Sequence, residues 1–313
     1  SDADAFPCIL WGGDDHTRPI RASRVTTTTS VAEALAAPGI AHARERWRAD
    51  SWHIDDPDDA ALIDRLAARW PTLAQVVPER PSRGVVTGCN HAFVIDAPTR
   101  ARLIDDDPET AAWIRPFIKG RDVRRWQPAA IDRYILLVDR GSMPPRRLRR
   151  YLEQFRAALE PGSGRKPGNY KWYELQDPVV PLAKSRAPRL LYQDIQTAPA
   201  CCLDRSGELV PDTTVWILPS ADPFLLAVLN SPLYAWYARR RFPPALNGAV
   251  RPKLEYMRAL PIATPKPALR AKIARLVARQ LEHADSALDT ELAELVTVAY
   301  ELDANEAARL RDR

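Results

Sequence analysis

The sequence changes character within residues 213–238, which read TTVWILPSADPFLLAVLNSPLYAWYA. The β-branched and aromatic residues at 213–218 predict a buried strand. Asp222 is a suitable N-cap, and Pro223 a suitable first residue, for the apolar helix that follows. Asn-Ser-Pro at 230–232 interrupts this helix, so it predicts a kink or a new helix start and argues against a membrane span.

On the N-terminal side the pattern is mostly short β segments separated by Gly, Pro and Asp. The predicted segments are residues 84–87, 92–95, 134–138 and 190–194. One predicted helix interrupts them at about 145–159, and a long flexible loop with two positive charges follows at 161–168.

Acidic residues precede another predicted helix, which ends near Trp70. Asp58 or Asp59 is predicted to cap it, because a carboxylate at this position complements the helix dipole. A metal site would use the same residue types, but capping explains them more simply.

On the C-terminal side the pattern is helical. Apolar residues at 269, 273, 276, 277 and 281 form one amphipathic stripe, and residues 288, 292, 295 and 296 repeat it. Asp303 and Glu306 have the spacing of a capping box that opens a last short helix.

The first fifty residues predict strands at 5–11 and 20–28 and a helix at 30–37 capped by Ser30. These elements are too few to bury a core, so we expect residues 1–50 to be the tail of a neighbouring domain or a linker. Residues 51–265 are predicted to form an α+β domain with a mixed, largely antiparallel sheet, and residues 266–313 the C-terminal helices.

Positive charge is concentrated in one part of the chain. The net charge is +5, but residues 115–171 hold fifteen Lys or Arg against five Asp or Glu. Such a stretch is either a solvated face or a patch that neutralises phosphates. No signal peptide is visible and the four cysteines lack metal-ligand spacing, so we expect a cytoplasmic protein without a metal site or a membrane partner.

Motifs of catalysis are not found in the sequence. None of the seven lysines has an acidic residue two positions before it, as a restriction-type nuclease site would require. A phosphate-binding P-loop, a dinucleotide-binding glycine motif and a nucleophile elbow are missing too. SPLY at 231–234 lacks the second proline of the loop that grips an extruded adenine in amino-methyltransferases. We therefore expect no catalysis in this chain.

Weaker motifs follow one another in a recognisable order. They are RGVVTGCNHAFVI at 83–95, IRPFIKGRDVRRW at 114–126, WYEL at 172–175, PRLLYQDI at 188–195, LAVLNSPLYAWY at 226–237, RPKLEYMRALPI at 251–262 and ELVTVAYEL at 294–302. Together they resemble the TaqI-like C-terminal specificity domain of combined restriction–modification enzymes and related phage-defence adenine methyltransferases. The resemblance extends from about Trp52 to the C-terminus, and it implies that RPKLEYMRALPI is a closing strand.

The resemblance implies a role as well as a fold. In such proteins a methyltransferase domain extrudes an adenine for N6 methylation and uses S-adenosylmethionine, while the specificity domain reads the surrounding bases. This chain lacks the family's S-adenosylmethionine loop and its catalytic Asn-Pro-Pro-Tyr loop. The expected partners are therefore double-stranded DNA and the methyltransferase domain of the parent chain, with no cofactor in this part.

DNA recognition requires cations that hold phosphates and a few side chains that reach base edges. The predicted DNA-binding residues are Lys119, Arg121, Arg124, Arg125, Arg146, Arg147, Arg150, Arg165, Lys166, Asn169, Lys171, Arg240, Asn247 and Arg251. Arg121 and Asp122 could instead form a structural ion pair. The arginines at 146–150 could be plain solvated surface.

Two other functions remain open from the sequence. The main rival is a protein-interaction or scaffold domain whose basic stretch is only a solvated face. An RNA-binding module is less favoured, because the interleaved aromatic residues of an RNA-binding strand are missing.

Overall fold

The computed structural model describes residues 20–22, 30–37, 39–42 and 55–310. Within these ranges the strands β1 to β10 are Ile20–Ala22, Ile40–His42, Ser82–Arg83, Val94–Asp96, Ile114–Ile118, Arg133–Leu136, Arg189–Gln193, Cys201–Asp204, Val210–Pro211 and Val215–Leu218. The α-helices α1 to α14 in the same ranges are Val31–Ala36, Pro57–Arg69, Leu73–Val76, Asn90–Phe93, Ala97–Asp106, Arg146–Glu153, Arg156–Leu159, Pro181–Lys184, Pro223–Leu229, Pro232–Arg241, Leu254–Arg258, Pro267–Glu282, Ser286–Ala299 and Ala304–Arg309. Short 3₁₀ turns lie at Pro108–Trp113, Gly120–Asp122 and Leu246–Gly248.

Two four-stranded sheets form the centre of the fold. The strand order is β3-β10-β7-β8 in the first sheet and β4-β6-β5-β9 in the second, and β1 pairs with β2 apart from both. Every pairing between these strands is antiparallel except that of β5 with β9. The α+β class with a largely antiparallel sheet is therefore confirmed.

The first sheet is buried on both faces, which explains why its strands are continuously apolar. Tyr192 and Trp216 face a core shared with helices α9, α10, α12 and α13. Leu191 and Ile217, the alternate residues of the same strands, face a second core shared with the other sheet and α6. Because successive side chains of a strand point to opposite faces, β7 and β10 separate a helical layer from a second β layer.

The helical layer begins where the sequence predicts it. The Asp222 carboxylate accepts a hydrogen bond from the Phe224 amide, and Pro223 opens α9. The chain then breaks, and Ser231 caps α10, so the predicted new helix start is confirmed. Helices α12 and α13 pack into the same core. No helix in the described part of the chain is long and apolar enough to cross a membrane.

The capping predictions are confirmed in two further helices and shifted in another. Ser30 and Glu33 form a capping box at α1, and Asp303 forms one at α14. Helix α2 is capped by Asp56 rather than by the predicted Asp58 or Asp59. Pro57 decides this, because its fixed φ angle suits the first helical position.

Several predicted strands are wrong or shifted. Residues 90–93 form the short helix α4, and strand β4 begins only at Val94. Residues 84–87 lie beyond β3 and contribute only an isolated bridge at Val85. The expected closing strand at 251–262 contains helix α11. The predicted helix 145–159 is two helices, α6 and α7.

Some predictions concern residues at the N-terminal end. The predicted strand at 5–11 lies outside the described residues. Of the strand predicted at 20–28, residues 20–22 form β1 and the remainder lies outside the described residues.

Candidate nucleic-acid interface

The fifteen cations at 115–171 fall into two groups. Six have guanidinium groups that are engaged inside the fold: Arg115, Arg125, Arg133, Arg140, Arg156 and Arg165. Their partners are carboxylates or main-chain carbonyls of the same fold. These six residues make contacts within the fold, although Arg125 and Arg156 do so at the surface, with side chains 43% and 45% exposed.

Arg165 is the clearest correction to the sequence prediction. Its side chain is only 6% exposed, although it lies in a loop between α7 and α8. Its nitrogens donate to the carbonyls of Leu159 at 2.8 Å, Glu174 at 2.7 Å, Trp172 at 2.7 Å and Thr87 at 3.3 Å. Burial lowers the pKa of the guanidinium. This side chain does not reach a DNA backbone.

The remaining nine cations form no ion pair with any residue that the structure describes, although the Arg124 guanidinium donates to the neighbouring carbonyls of Arg121 and Val123. They are Lys119, Arg121, Arg124, Arg146, Arg147, Arg149, Arg150, Lys166 and Lys171. The five carboxylates of the same segment are all paired with other cations: Asp122 and Asp132 with Arg133, Asp139 with Lys184, and Glu153 and Glu160 with Arg156. The positive charge of the nine is therefore locally uncompensated.

Helix α6 carries four of these cations. Leu148 and Leu152, one turn apart, are fully buried and fix the orientation of the helix. The arginines at 146, 147, 149 and 150 consequently lie on its exposed side. Glu153 is the only acidic residue in the helix, and it pairs with Arg156. Four adjacent guanidinium groups repel one another, and a row of phosphates would relieve this repulsion.

A second group of cations is linked to Thr214 through Gly120 and Asp194, and we call it the Thr214 rim. Lys119 and Arg121 flank Gly120, Arg124 donates to the Arg121 carbonyl, and Arg83 and Arg251 pair with Asp194. The Thr214 hydroxyl accepts a hydrogen bond from the Gly120 amide at 2.8 Å, and its carbonyl accepts one from Asp194 at 2.9 Å. These bonds join the ends of β5 and β7 to the start of β10. The rim therefore lies at one end of both sheets.

Asp194 is the carboxylate of the Thr214 rim. It pairs with Arg83 at 2.7 Å and with Arg251 at 2.9 Å, and it accepts a hydrogen bond from the Trp216 indole. Burial alone would raise the pKa of Asp194, but the Trp216 and Arg251 hydrogen bonds and the charge of Arg83 outweigh it and lower the pKa. Two arginines share one carboxylate, so a positive charge remains.

Three further predicted contacts are tied into the fold. Arg125 pairs with Asp289 of α13 and donates to the carbonyl of Asn230. Arg240 pairs with Asp59, which joins α10 to α2. The Arg251 guanidinium forms an ion pair with Asp194. Asn247 is exposed, but its φ of 57° shows that it serves a left-handed turn, a conformation that Asn tolerates well.

The proposed ion pair between Arg121 and Asp122 is not found. The Asp122 carboxylate is buried, and it accepts hydrogen bonds from the Lys119 amide and from the Arg133 guanidinium. The Arg121 side chain is exposed. The alternative in which Asp122 neutralises Arg121 is therefore wrong.

The loop at 160–176 is held by its own contacts, in spite of having no regular secondary structure. Arg140 donates to the carbonyls of Asn169, at 2.7 Å, and Gln176. The Tyr170 ring lies against both the Arg140 and Arg165 guanidinium groups, at 4.3 and 4.7 Å from its centroid. The loop that was expected to be flexible is thus tied to the fold at Arg165 and Tyr170.

Lys166, Asn169 and Lys171 remain exposed on this ordered loop. The segment from Arg83 to Gly88 connects it to the Thr214 rim. Arg83 belongs to the rim, and a Cβ at Gly88 would meet the Arg165 side chain at 2.7 Å. Five residue steps of extended chain span at most about 18 Å. This limit applies to the Cα atoms of Arg83 and Gly88, so a short segment joins the rim to the base of the loop.

Sequence reasoning missed the buried arginines that build this region. Arg115 and Arg189 are almost fully buried and donate to carbonyls, and Arg140 binds two loop carbonyls. One signal was available for Arg115 and Arg189, since each lies within or beside a run of strand-forming residues. No comparable signal distinguishes Arg165 from Lys166.

Comparison with known proteins gives a relative and two structural neighbours, whereas no protein-family model matches the chain. The chain is 26% identical over 316 residues to the type II methyltransferase M.PaeR7I of Pseudomonas aeruginosa. This match covers 92% of the chain and 53% of that protein, so the chain spans about half the length of the relative. The expected relationship to restriction–modification methyltransferases is confirmed at this level.

The structural neighbours are restriction–modification proteins too. The type IIL enzyme MmeI, solved in complex with DNA, matches with a TM-score of 0.50 and 14% identity over 74% of this chain and 34% of that one. The type IIG endonuclease BpuSI matches with a TM-score of 0.43 and 11% identity over 82% of this chain and 33% of that one. The first likeness supports a shared fold and nothing further.

Proposed function

We propose that this chain is the double-stranded DNA recognition part of an adenine-N6 DNA methyltransferase of a type IIG-like restriction–modification system, equivalent to a TaqI-like specificity domain. The chain itself reads sequence. Methyl transfer and binding of S-adenosylmethionine belong to a methyltransferase domain of the parent protein.

The observation that carries this proposal is the division of the cations. Elsewhere in the described part of the chain ten arginines form ion pairs, as Arg65 does with Glu306 and Arg270 with Asp222, and the unpaired ones, such as Arg205 and Arg275, are scattered along the sequence. The nine unpaired cations at 119–171 are concentrated on α6, the adjoining loop and the Thr214 rim. Proteins that bind DNA keep cations free for phosphates, because release of counterions supplies much of the affinity.

The relative and the fold support the same proposal. The similarity to a type II methyltransferase extends over nearly the whole chain, while that relative is about twice as long. In the proposed system, the domains that perform the chemistry correspond to the half of the relative that this chain does not cover. The ordered loop with exposed Lys166, Asn169 and Lys171 supplies donors and acceptors of the kinds that read base edges.

The experiment is selection of the chain against a pool of randomised duplex DNA at moderate salt, followed by sequencing of the retained DNA. We expect a short enriched motif containing an adenine. The logarithm of the binding constant for the enriched duplex should fall linearly with the logarithm of salt concentration, with a slope of about −0.9 for each phosphate neutralised.

Other outcomes separate the rival functions. Binding of a protein partner that persists at high salt, with no retention of DNA at low salt, would support an interaction or scaffold domain instead. Preferential retention of single-stranded RNA in a competition with duplex DNA would support the RNA-binding alternative.

A further inference from the structure

Two chain segments are joined into a single element, which we call the tip: the turn at 139–143 and the loop at 165–176. The Glu174 carboxylate joins them, because one oxygen accepts from the Gly141 amide at 3.0 Å and the other from the Lys171 amide at 2.9 Å. Arg140 joins them again through its bonds to the Asn169 and Gln176 carbonyls.

The tip is anchored to the core below it. The Leu175 amide donates to the Val138 carbonyl at 2.8 Å, and both side chains are fully buried. Pro144 is buried where the turn leads into α6. Together with the four carbonyl bonds of Arg165, these contacts hold the tip in one geometry before any ligand arrives. A preorganised element loses little conformational entropy on binding, which favours affinity.

The tip displays two side chains that have no role within it. Met143 is 76% exposed, more than any other large apolar side chain in the described part of the chain. Asn169 is exposed too, and its side-chain amide has no hydrogen-bond partner among the described residues. The unpaired cations of α6 follow Met143 directly, and Lys166 and Lys171 flank Asn169.

We propose that this tip enters the major groove and reads A·T base pairs, Asn169 by hydrogen bonds to adenine and Met143 by contact with the thymine methyl group. The inference rests on the proposed DNA-recognition function. An Asn amide can donate to adenine N7 and accept from its N6 amino group at once, and an apolar side chain distinguishes the C5 methyl of thymine. The major groove is about 12 Å wide and admits an α-helix or a two-stranded ribbon.

The flanking cations have a separate task in this arrangement. The α6 arginines, Lys166 and Lys171 contact the phosphates on either side of the groove, which fixes the register of the tip but carries no sequence information. Discrimination between bases then depends on Asn169 and Met143, whereas the salt dependence of binding depends on the cations. The two properties can be altered independently.

The test uses the duplex selected from the random pool, altered one atom group at a time. Each adenine is replaced in turn by 7-deazaadenine, which lacks N7, and each thymine by uracil, which lacks the methyl group. Affinity is measured for the unaltered protein and for the Asn169→Ala and Met143→Ala variants. Asn305→Ala and Val298→Ala serve as matched controls, because both residues are exposed on C-terminal helices.

We expect the unaltered protein to lose about 5- to 10-fold in affinity at one 7-deazaadenine position, the value of one hydrogen bond. At one uracil position we expect a loss of about fourfold, the value of one buried methyl group. The Asn169→Ala variant should be indifferent to that 7-deazaadenine, and the Met143→Ala variant to that uracil. Both controls should respond as the unaltered protein does.

Three outcomes would overturn the proposal, and they are distinguishable. If the chain retains no duplex DNA, the DNA-recognition function itself fails. If it selects a motif but both tip variants keep the full sensitivity to the altered bases, DNA recognition stands and the tip does not read these groups. The third outcome is measured with 2-aminopurine placed in the selected duplex. If its fluorescence rises when the unaltered protein binds, and Met143→Ala abolishes this rise, Met143 separates stacked bases and does not read a methyl group.

Discussion

Replacing Arg165 with methionine tests whether this guanidinium holds the fold or contacts DNA. Methionine keeps the unbranched apolar stem of the side chain and removes its five donors. In the structure those donors bind four carbonyls, of which Thr87 also accepts from the Gln176 amide. The carbonyls of Leu159, Trp172 and Glu174 would be left without their observed side-chain donor.

The loss of stability follows from these three carbonyls. A buried polar group without a partner costs about 1–3 kcal/mol. The lost contact of the guanidinium with the Tyr170 ring adds about 0.5–1 kcal/mol. Burial lowers the pKa of Arg165, which shows that the folded state bears a desolvation cost that methionine would remove. We therefore take the lower end of the range and expect a loss of about 3–4 kcal/mol in the free energy of unfolding.

The assay is urea unfolding, together with the melting temperature, for Arg165→Met and for Lys166→Met as its neighbour control. A loss of 3–4 kcal/mol corresponds to a decrease in Tm of roughly 6–8 °C in a chain of this size. Lys166 is exposed, so its variant should change stability by less than about 0.5 kcal/mol. The reasoning is refuted if Arg165→Met unfolds like the unaltered protein while the salt slope of its DNA binding falls by about 0.9, because the guanidinium would then lie on a phosphate.

Three further perturbations test the remaining parts of the structure. Changing all four α6 arginines to glutamine should reduce the salt slope of DNA binding by up to about 3.6 with an unchanged Tm, whereas Arg275→Gln on the exposed side of α12 should leave the slope unaltered. Gly88→Ala should lower the free energy of unfolding by about 2 kcal/mol, because the φ of Gly88 is +73° and the new Cβ would lie 2.7 Å from the Arg165 side chain. The measurement is urea titration, and an unchanged unfolding midpoint would contradict this packing. The Asp194 carboxylate has a lowered pKa, so its ionised form stabilises the fold above its ordinary pKa of 3.8, and this stabilisation is lost as the pH falls through the lower folded value. The stability difference between the unaltered protein and Asp194→Asn should accordingly be present at pH 7 and disappear in that acidic range, and a difference that persists there would exclude ionisation as its cause.

Local sequence patterns were sufficient to predict much of the fold. Ser30, Asp222 and Asp303 were predicted to cap helices, and each does, because a cap depends on residues within one turn of one another. The strands near residues 190 and 215 were predicted from composition alone, since a strand buried on both faces must be apolar along its whole length. Where two local signals competed, as at Asp56 and Asp58, the proline between them decided the outcome.

Other elements could not be predicted locally. Residues 92–93 were predicted as strand, yet they end helix α4, where both are fully buried and the neighbouring His91 packs against Phe155. The helix predicted at 145–159 is broken after residue 153, near Phe155, whose ring packs against His91 and Tyr151. In both places contacts with distant residues outweigh local preference.

The sequence by itself determined the α+β class, the helical caps and the concentration of positive charge at 115–171, because each is a property of composition or of neighbouring residues. Only the tertiary structure decided which cations are free. Arg165 and Lys166 are adjacent and chemically alike, yet one binds four carbonyls inside the fold and the other is exposed. A guanidinium is satisfied by whichever acceptors the folded chain brings within about 3 Å, and those acceptors lie as many as 78 residues away along the chain.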